Sequence, residues 1–127
     1  MKPILHSIRT AALGLILAAV PAAAHHSAAA QFDLEKKVTI TGTLVKVEWQ
    51  NPHNWYYVDA KDASGTVVHW GMEGAPPGHL YRDGVKRSTI LELVGSTVTV
   101  EGNPARDGSK NLTVHKMILA DGRQLPM

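Results

Sequence analysis

The run Val38-Thr39-Ile40-Thr41-Gly42-Thr43-Leu44-Val45-Lys46-Val47-Glu48-Trp49 constrains this chain more than any other segment. It is dense in β-branched residues and alternates apolar with polar, the pattern of a strand with one face in a core. Its apolar phase is Val38, Ile40, Leu44 and then Val45, Val47, Trp49, so the alternation slips by one residue between Gly42 and Val45. Such a slip predicts a β-bulge or a sharp coil that restores the inward face. A long strand bent at a glycine suits a small barrel.

The rest of the chain supplies the partners. Asn51-Pro52 marks a turn into a second strand over His53–Asp59, and Asp62-Ala63-Ser64-Gly65 leads into a third over Thr66–Met72. From Gly74 to Gly95 the strand period disappears. Pro76-Pro77, Gly78 and Gly84 allow one short helix around His79–Asp83 and another turn at Ser88–Leu93. Ser96–Glu101 and Leu112–Leu119 read as strands four and five. Three strands, a short helical or irregular connection and two more strands is the order of an OB-fold, a five-stranded, partly open barrel with a bent first strand. The expected fold class is therefore mainly β, a small OB-fold-like barrel.

The chain opens with the three parts of a secretory signal: Lys2 and Arg9, an apolar stretch from Ala11 to Val20, and the small-residue site ending at Ala24. That stretch is too short to cross a bilayer as a helix, which takes about 20 residues. The reading divides the chain into a signal peptide (1–24), an N-terminal arm (25–36) and an OB-like barrel (37–127), with a periplasmic or secreted product that has no membrane span. The absence of cysteine excludes disulfides, a lipobox anchor and thiolate chemistry. The formal net charge of +2 resides in Lys2 and Arg9, so the processed chain is balanced. A balanced domain lacks the clustered Lys and Arg that nucleic-acid binding requires, and no nucleic-acid partner is expected.

Taken together, His25-His26-Ser27, the phrase Gly42–His53 with its Trp49-Gln50-Asn51-Pro52-His53 ending, Trp70 with Glu73, and Asp121-Gly122-Arg123 resemble a family of short exported bacterial proteins of unknown function. Ala28 stands where members of that family often carry Phe. The resemblance implies an exported β-domain and carries no activity with it.

Cleavage after Ala24 would leave His25 as the first residue, and a terminal histidine offers its α-amino nitrogen and imidazole Nδ1 to one metal ion. One further imidazole completes a three-nitrogen set suited to Cu(II), the divalent ion that nitrogen ligands without thiols bind most tightly. The candidate metal ligands are His25, His26 and His53, and copper is the candidate cofactor. A solvated, processed terminus is the simpler explanation of the first two, and a turn histidine bonded to the backbone that of the third. His69 and His115 read as strand-face residues. An alternative, metal-free function is a binding module for a small molecule, a glycan or a protein partner, using an aromatic strand face drawn from Trp49, Trp55, Tyr57 and Trp70. Alternating aromatics more often serve as core and cross-strand pairs. No nucleophile elbow, zinc-protease helix or phosphate loop is present, so no catalytic residue is assigned and the reading is non-enzymatic. A copper oxidase built on the terminal histidine is the enzymatic variant of the metal reading.

Overall fold

The computed structural model describes residues 28–127. The segment expected to be a signal peptide (1–24), His25 and His26 lie outside the described residues. The elements run β1 (Val38–Glu48), β2 (Trp55–Lys61), β3 (Val67–Glu73), α1 (Pro77–Arg82), α2 (Arg87–Glu92), β4 (Thr97–Pro104), β5 (Asn111–Leu119) and β6 (Gln124–Pro126). Neighbouring strands follow the order β3-β2-β1-β4-β5-β6, and a parallel pairing of β3 with β5 closes the first five into a barrel. This is the expected OB-like arrangement, with the two short helices between strands three and four. The short β6, which the sequence patterning did not single out, pairs along Lys116–Ile118 of β5.

Closure depends on how β1 is used. Its residues Val38–Thr43 pair with β4, and Thr43–Glu48 pair with β2. The strand therefore coils at its middle, and Gly42 sits where it does because a β-carbon there would fall on the Asp59 carbonyl and the Val58 side chain. A bulge follows between Leu44 and Lys46. Its extra residue is Val45, which the sequence phase put inside and which is instead 43% exposed. Two apolar residues in succession cannot both face the core of a pleated strand, and the bulge resolves the conflict by keeping Leu44 and Val47 inward.

Tyr56 and Val58 of β2, Met72 of β3, Val98 and Val100 of β4, and Leu112 and Met117 of β5 fill the barrel, and Leu80 and Ile90 of the helices enter the same core. Three hairpin turns share one device. Asp62, Asp107 and Asp121 each accept a bond from the backbone N–H two residues on, with a left-handed glycine in the turn. These bonds hold all three carboxyls below their usual range, the Ser64 hydroxyl, the Ser109 side chain and the Arg123 backbone being the leading contributors in turn.

The β1–β2 loop is ordered by a fully buried amide. Asn54 Nδ2 donates to the Ala75 carbonyl at 2.9 Å, and its Oδ1 accepts the Gln50 N–H at 3.1 Å. The backbone at 54 exchanges bonds with Gly74 and Ala75. The loop is thus tied to the chain leaving β3. Burial pushes the neighbouring Tyr56 phenol far above its usual value, with Asn54 offsetting part of the effect.

Gly42→Ala is expected to destabilise the folded protein by about 2 kcal/mol or more, because the new methyl meets backbone that cannot yield without breaking the β1–β2 ladder. Urea unfolding checks this as a lower midpoint at unchanged slope. Asn54→Ala strands the Gln50 N–H and costs the Ala75 carbonyl its side-chain donor, and a loss of roughly 2 kcal/mol is expected by the same measurement.

Candidate functional site

On β2, Tyr56, Val58 and Ala60 point inward, so Trp55, Tyr57 and Asp59 point outward. The β2–β3 register sets Trp55 beside Glu73, Tyr57 beside Gly71 and Asp59 beside His69. On the other side β1 sets Glu48 beside Trp55 and Lys46 beside Tyr57. One outer face therefore carries Trp55 between two carboxylates, Glu48 and Glu73. Lys46 Nζ donates to Glu48 Oε1 at 2.5 Å and lies 5.0 Å from the centre of the Tyr57 ring, while Tyr57 Oη donates to Glu48 Oε2 at 3.1 Å. The Lys46 bond, then the Tyr57 bond, hold the Glu48 carboxyl below its usual range. Glu48 in turn raises the Lys46 ammonium. This exposed pair organises the surface and contributes little stability.

His53 follows the cis Asn51–Pro52 bond and directs Nδ1 to the Glu73 carboxylate, which is only 18% exposed. A histidine whose Nδ1 is engaged by a carboxylate keeps Nε2 as the nitrogen it can offer to a ligand. The other described histidines are placed differently. His69 Nδ1 pairs with Asp59 at 2.6 Å, His79 pairs with Asp83 at 3.4 Å across one turn of α1, and His115 Nε2 donates to Asn103 Oδ1. Among the described residues no three His, Asp or Glu side chains gather to hold a metal ion.

The aromatic candidates divide into two pairs. Trp49 and Trp70 pack against the core, Trp70 on the inward register of Val58 and with Lys110 Nζ 5.5 Å from its ring. Trp55 and Tyr57 stand on the outer face. The Trp55 ring reaches over Gly71, where a β-carbon would come within 3.7 Å of its Cζ3 atom and would collide with the Asn111 amide oxygen.

The N-terminal arm arrives beside this tryptophan. A helical turn over residues 28–31 ends at buried Phe32, which bridges to Ala105. Arg106 ties the turn down twice, its backbone N–H donating to Gln31 O at 2.8 Å and its Nε to Ala29 O at 2.9 Å. Buried Asn103 secures the following stretch by donating to Lys36 O at 2.5 Å. Between the arm, Trp55 and the β4–β5 hairpin lies a groove of about 420 Å³. Nothing in the sequence pattern marks Asn54, Asn103, Arg106 or the pairing of Glu73 with His53; a buried amide that closes a loop leaves no periodic trace, although Asn54 does lie two residues after the proline of the turn.

Among the described residues no helix is long and apolar enough to cross a membrane. In fold the chain is similar to a crystal structure of the mitochondrial single-stranded DNA-binding protein of S. cerevisiae, with 15% sequence identity and a TM-score of 0.46 over 67% of this chain and 93% of that one. No curated protein sequence matches it. The family model of DUF6152, a family of unknown function, matches residues 12–114, and the chain belongs to that family.

Proposed function

We propose that this protein is an exported, non-enzymatic OB-like domain that binds copper through His25 as its processed N-terminus, with His53 as the additional imidazole and His26 beside them. The observation that carries the reading is the pairing of His53 Nδ1 with Glu73 in a loop that Asn54 holds rigid. Carboxylate-bound imidazoles of this kind are the usual form of a metal-ligating histidine, since the carboxylate fixes the tautomer and the ring's direction. A second observation supports it. The arm is tied down so that Ala30 and Gln31 share a groove with Trp55, and Trp55 is the cross-strand neighbour of Glu73.

In this reading His25 supplies the α-amine and Nδ1, His53 supplies Nε2, and Glu73 positions His53 without itself being a ligand. Nitrogen donors without thiolate favour copper over the other first-row divalent ions. Because amine and imidazole bind metal only when deprotonated, affinity falls as pH is lowered.

The test begins with intact mass of the exported protein, which should start at His25. Titration of that metal-free protein with Cu(II) should give one tight site per chain. Acetylating the α-amine of His25 and the substitution His53→Ala should each weaken it by about tenfold or more, and Glu73→Gln should weaken it by about 10- to 100-fold. Equal binding with and without the acetyl block, or no tight binding at all, rejects the terminal chelate.

A further inference from the structure

The groove beside the arm has features of its own that the metal reading does not use. Its walls are Trp55 and Phe32 on the apolar side, and Gln31, Asp107, Ser109 and Asn111 on the polar side. At about 420 Å³ it falls within the range of roughly 300–1,000 Å³ usual for small-molecule sites. Asp107, Ser109 and Asn111 are held in place by bonds to one another before any ligand arrives. Asp107 Oδ1 accepts the Ser109 N–H at 2.9 Å, and Asn111 Nδ2 donates to the Ser109 hydroxyl at 3.1 Å. Gln31 belongs to the turn that Arg106 anchors, so both rims of the groove are fixed to the same hairpin.

The chemistry of the lining narrows the ligand. Asp107 is the one ionisable side chain among the described lining residues. With no lysine, arginine or histidine among the described lining residues, a phosphate, sulfate or carboxylate would meet a carboxylate and no counter-charge from them. A cation would find a single exposed acid. Two amides, a hydroxyl and a carboxylate, all beside an indole, instead match a ligand that offers several hydroxyls on one side and a C–H surface on the other. Vicinal hydroxyls both donate and accept, so they satisfy the carboxylate and the amides together, while the C–H face covers the tryptophan.

We propose that this groove binds a neutral saccharide of one or two rings, with Trp55 as the stacking platform and Asp107, Asn111 and Gln31 as the hydroxyl-binding groups. The inference is independent of copper, because none of these residues belongs to the proposed metal set.

The experiment uses the exported, full mature protein in buffer containing a chelator. Glucose, cellobiose, N,N′-diacetylchitobiose, cellotetraose and, as a cationic control, choline are titrated while amide and indole N–H resonances are followed. At least one saccharide is expected to produce saturable shifts at millimolar concentration or below, centred on the Trp55 indole N–H and on Gln31, Ser109 and Asn111. A tetrasaccharide that binds no tighter than its disaccharide marks a free sugar as the source, and one that binds tighter marks a longer glycan chain. Trp55→Ala should weaken binding by about tenfold or more, Trp55→Phe should retain part of it in a protein of unchanged melting temperature, and His53→Ala should leave it unaltered. The proposal is overturned if no saccharide gives saturable shifts at the groove, if choline alone does, or if binding survives Trp55→Ala.

Discussion

At Thr43 the first strand gives up its hydrogen bonds to β4 and takes up those to β2. One strand serving two sides of a closed sheet must coil tightly, and it passes within a β-carbon's reach of the Asp59 carbonyl, which Gly42 alone accommodates. The bulge at Val45 completes the change of direction and also reverses the parity of everything after it. Without it Lys46 and Glu48 would face the core and Val47 would face solvent. The composition of the outer face, with Glu48 and Lys46 set against Trp55 and Tyr57, is thus a consequence of barrel closure. A second bulge acts in the same way on β5, where His115 is the extra residue and Val114 and Met117 both remain inside.

Two buried amides convert this scaffold into a surface with fixed loops. Asn54 and Asn103 are the buried polar residues among the described core, and each satisfies backbone groups of a segment that belongs to no strand. Asn54 holds the β1–β2 loop against the exit of β3, which brings His53 to Glu73. Asn103 holds the arm, assisted by Arg106, which brings Gln31 and Phe32 to Trp55. A buried amide left without partners costs more than a made bond gains, so these contacts define one arrangement of the loops and exclude alternatives.

The strand order and the helical connection were legible because periodicity reports a one-sided core directly, and Gly42 announced the coil because a glycine in a strand of β-branched residues is otherwise unfavourable. The location of the bulge was legible, but which of its residues turns outward was not, since Leu44 and Val45 are equally apolar and register decides between them. β6 went unseen because three residues with a proline carry almost no pattern. The aromatics show the same limit. Parity along β2 ties Trp55 to Tyr57, yet it does not say that Trp70 faces inward, which follows only from its pairing with Val58. The groove was the least legible feature, as it joins the arm to a hairpin more than seventy positions away in the chain.

Three described histidines are paired with carboxylates, and they are not equivalent. The partner of His69 is 31% exposed and that of His79 is 42% exposed, whereas Glu73 is 18% exposed. A carboxylate freely reached by water competes poorly for one orientation of a mobile imidazole, and such surface pairs contribute little. A carboxylate largely withdrawn from water and backed by a strand fixes the ring more firmly, and the loop bearing His53 is itself immobilised through Asn54. Fixing a donor in advance lowers the ordering cost of whatever binds it. His53 is therefore the imidazole on this surface whose remaining nitrogen is best prepared for an incoming partner, and its carboxylate stands in register with the tryptophan that faces the arm across the groove.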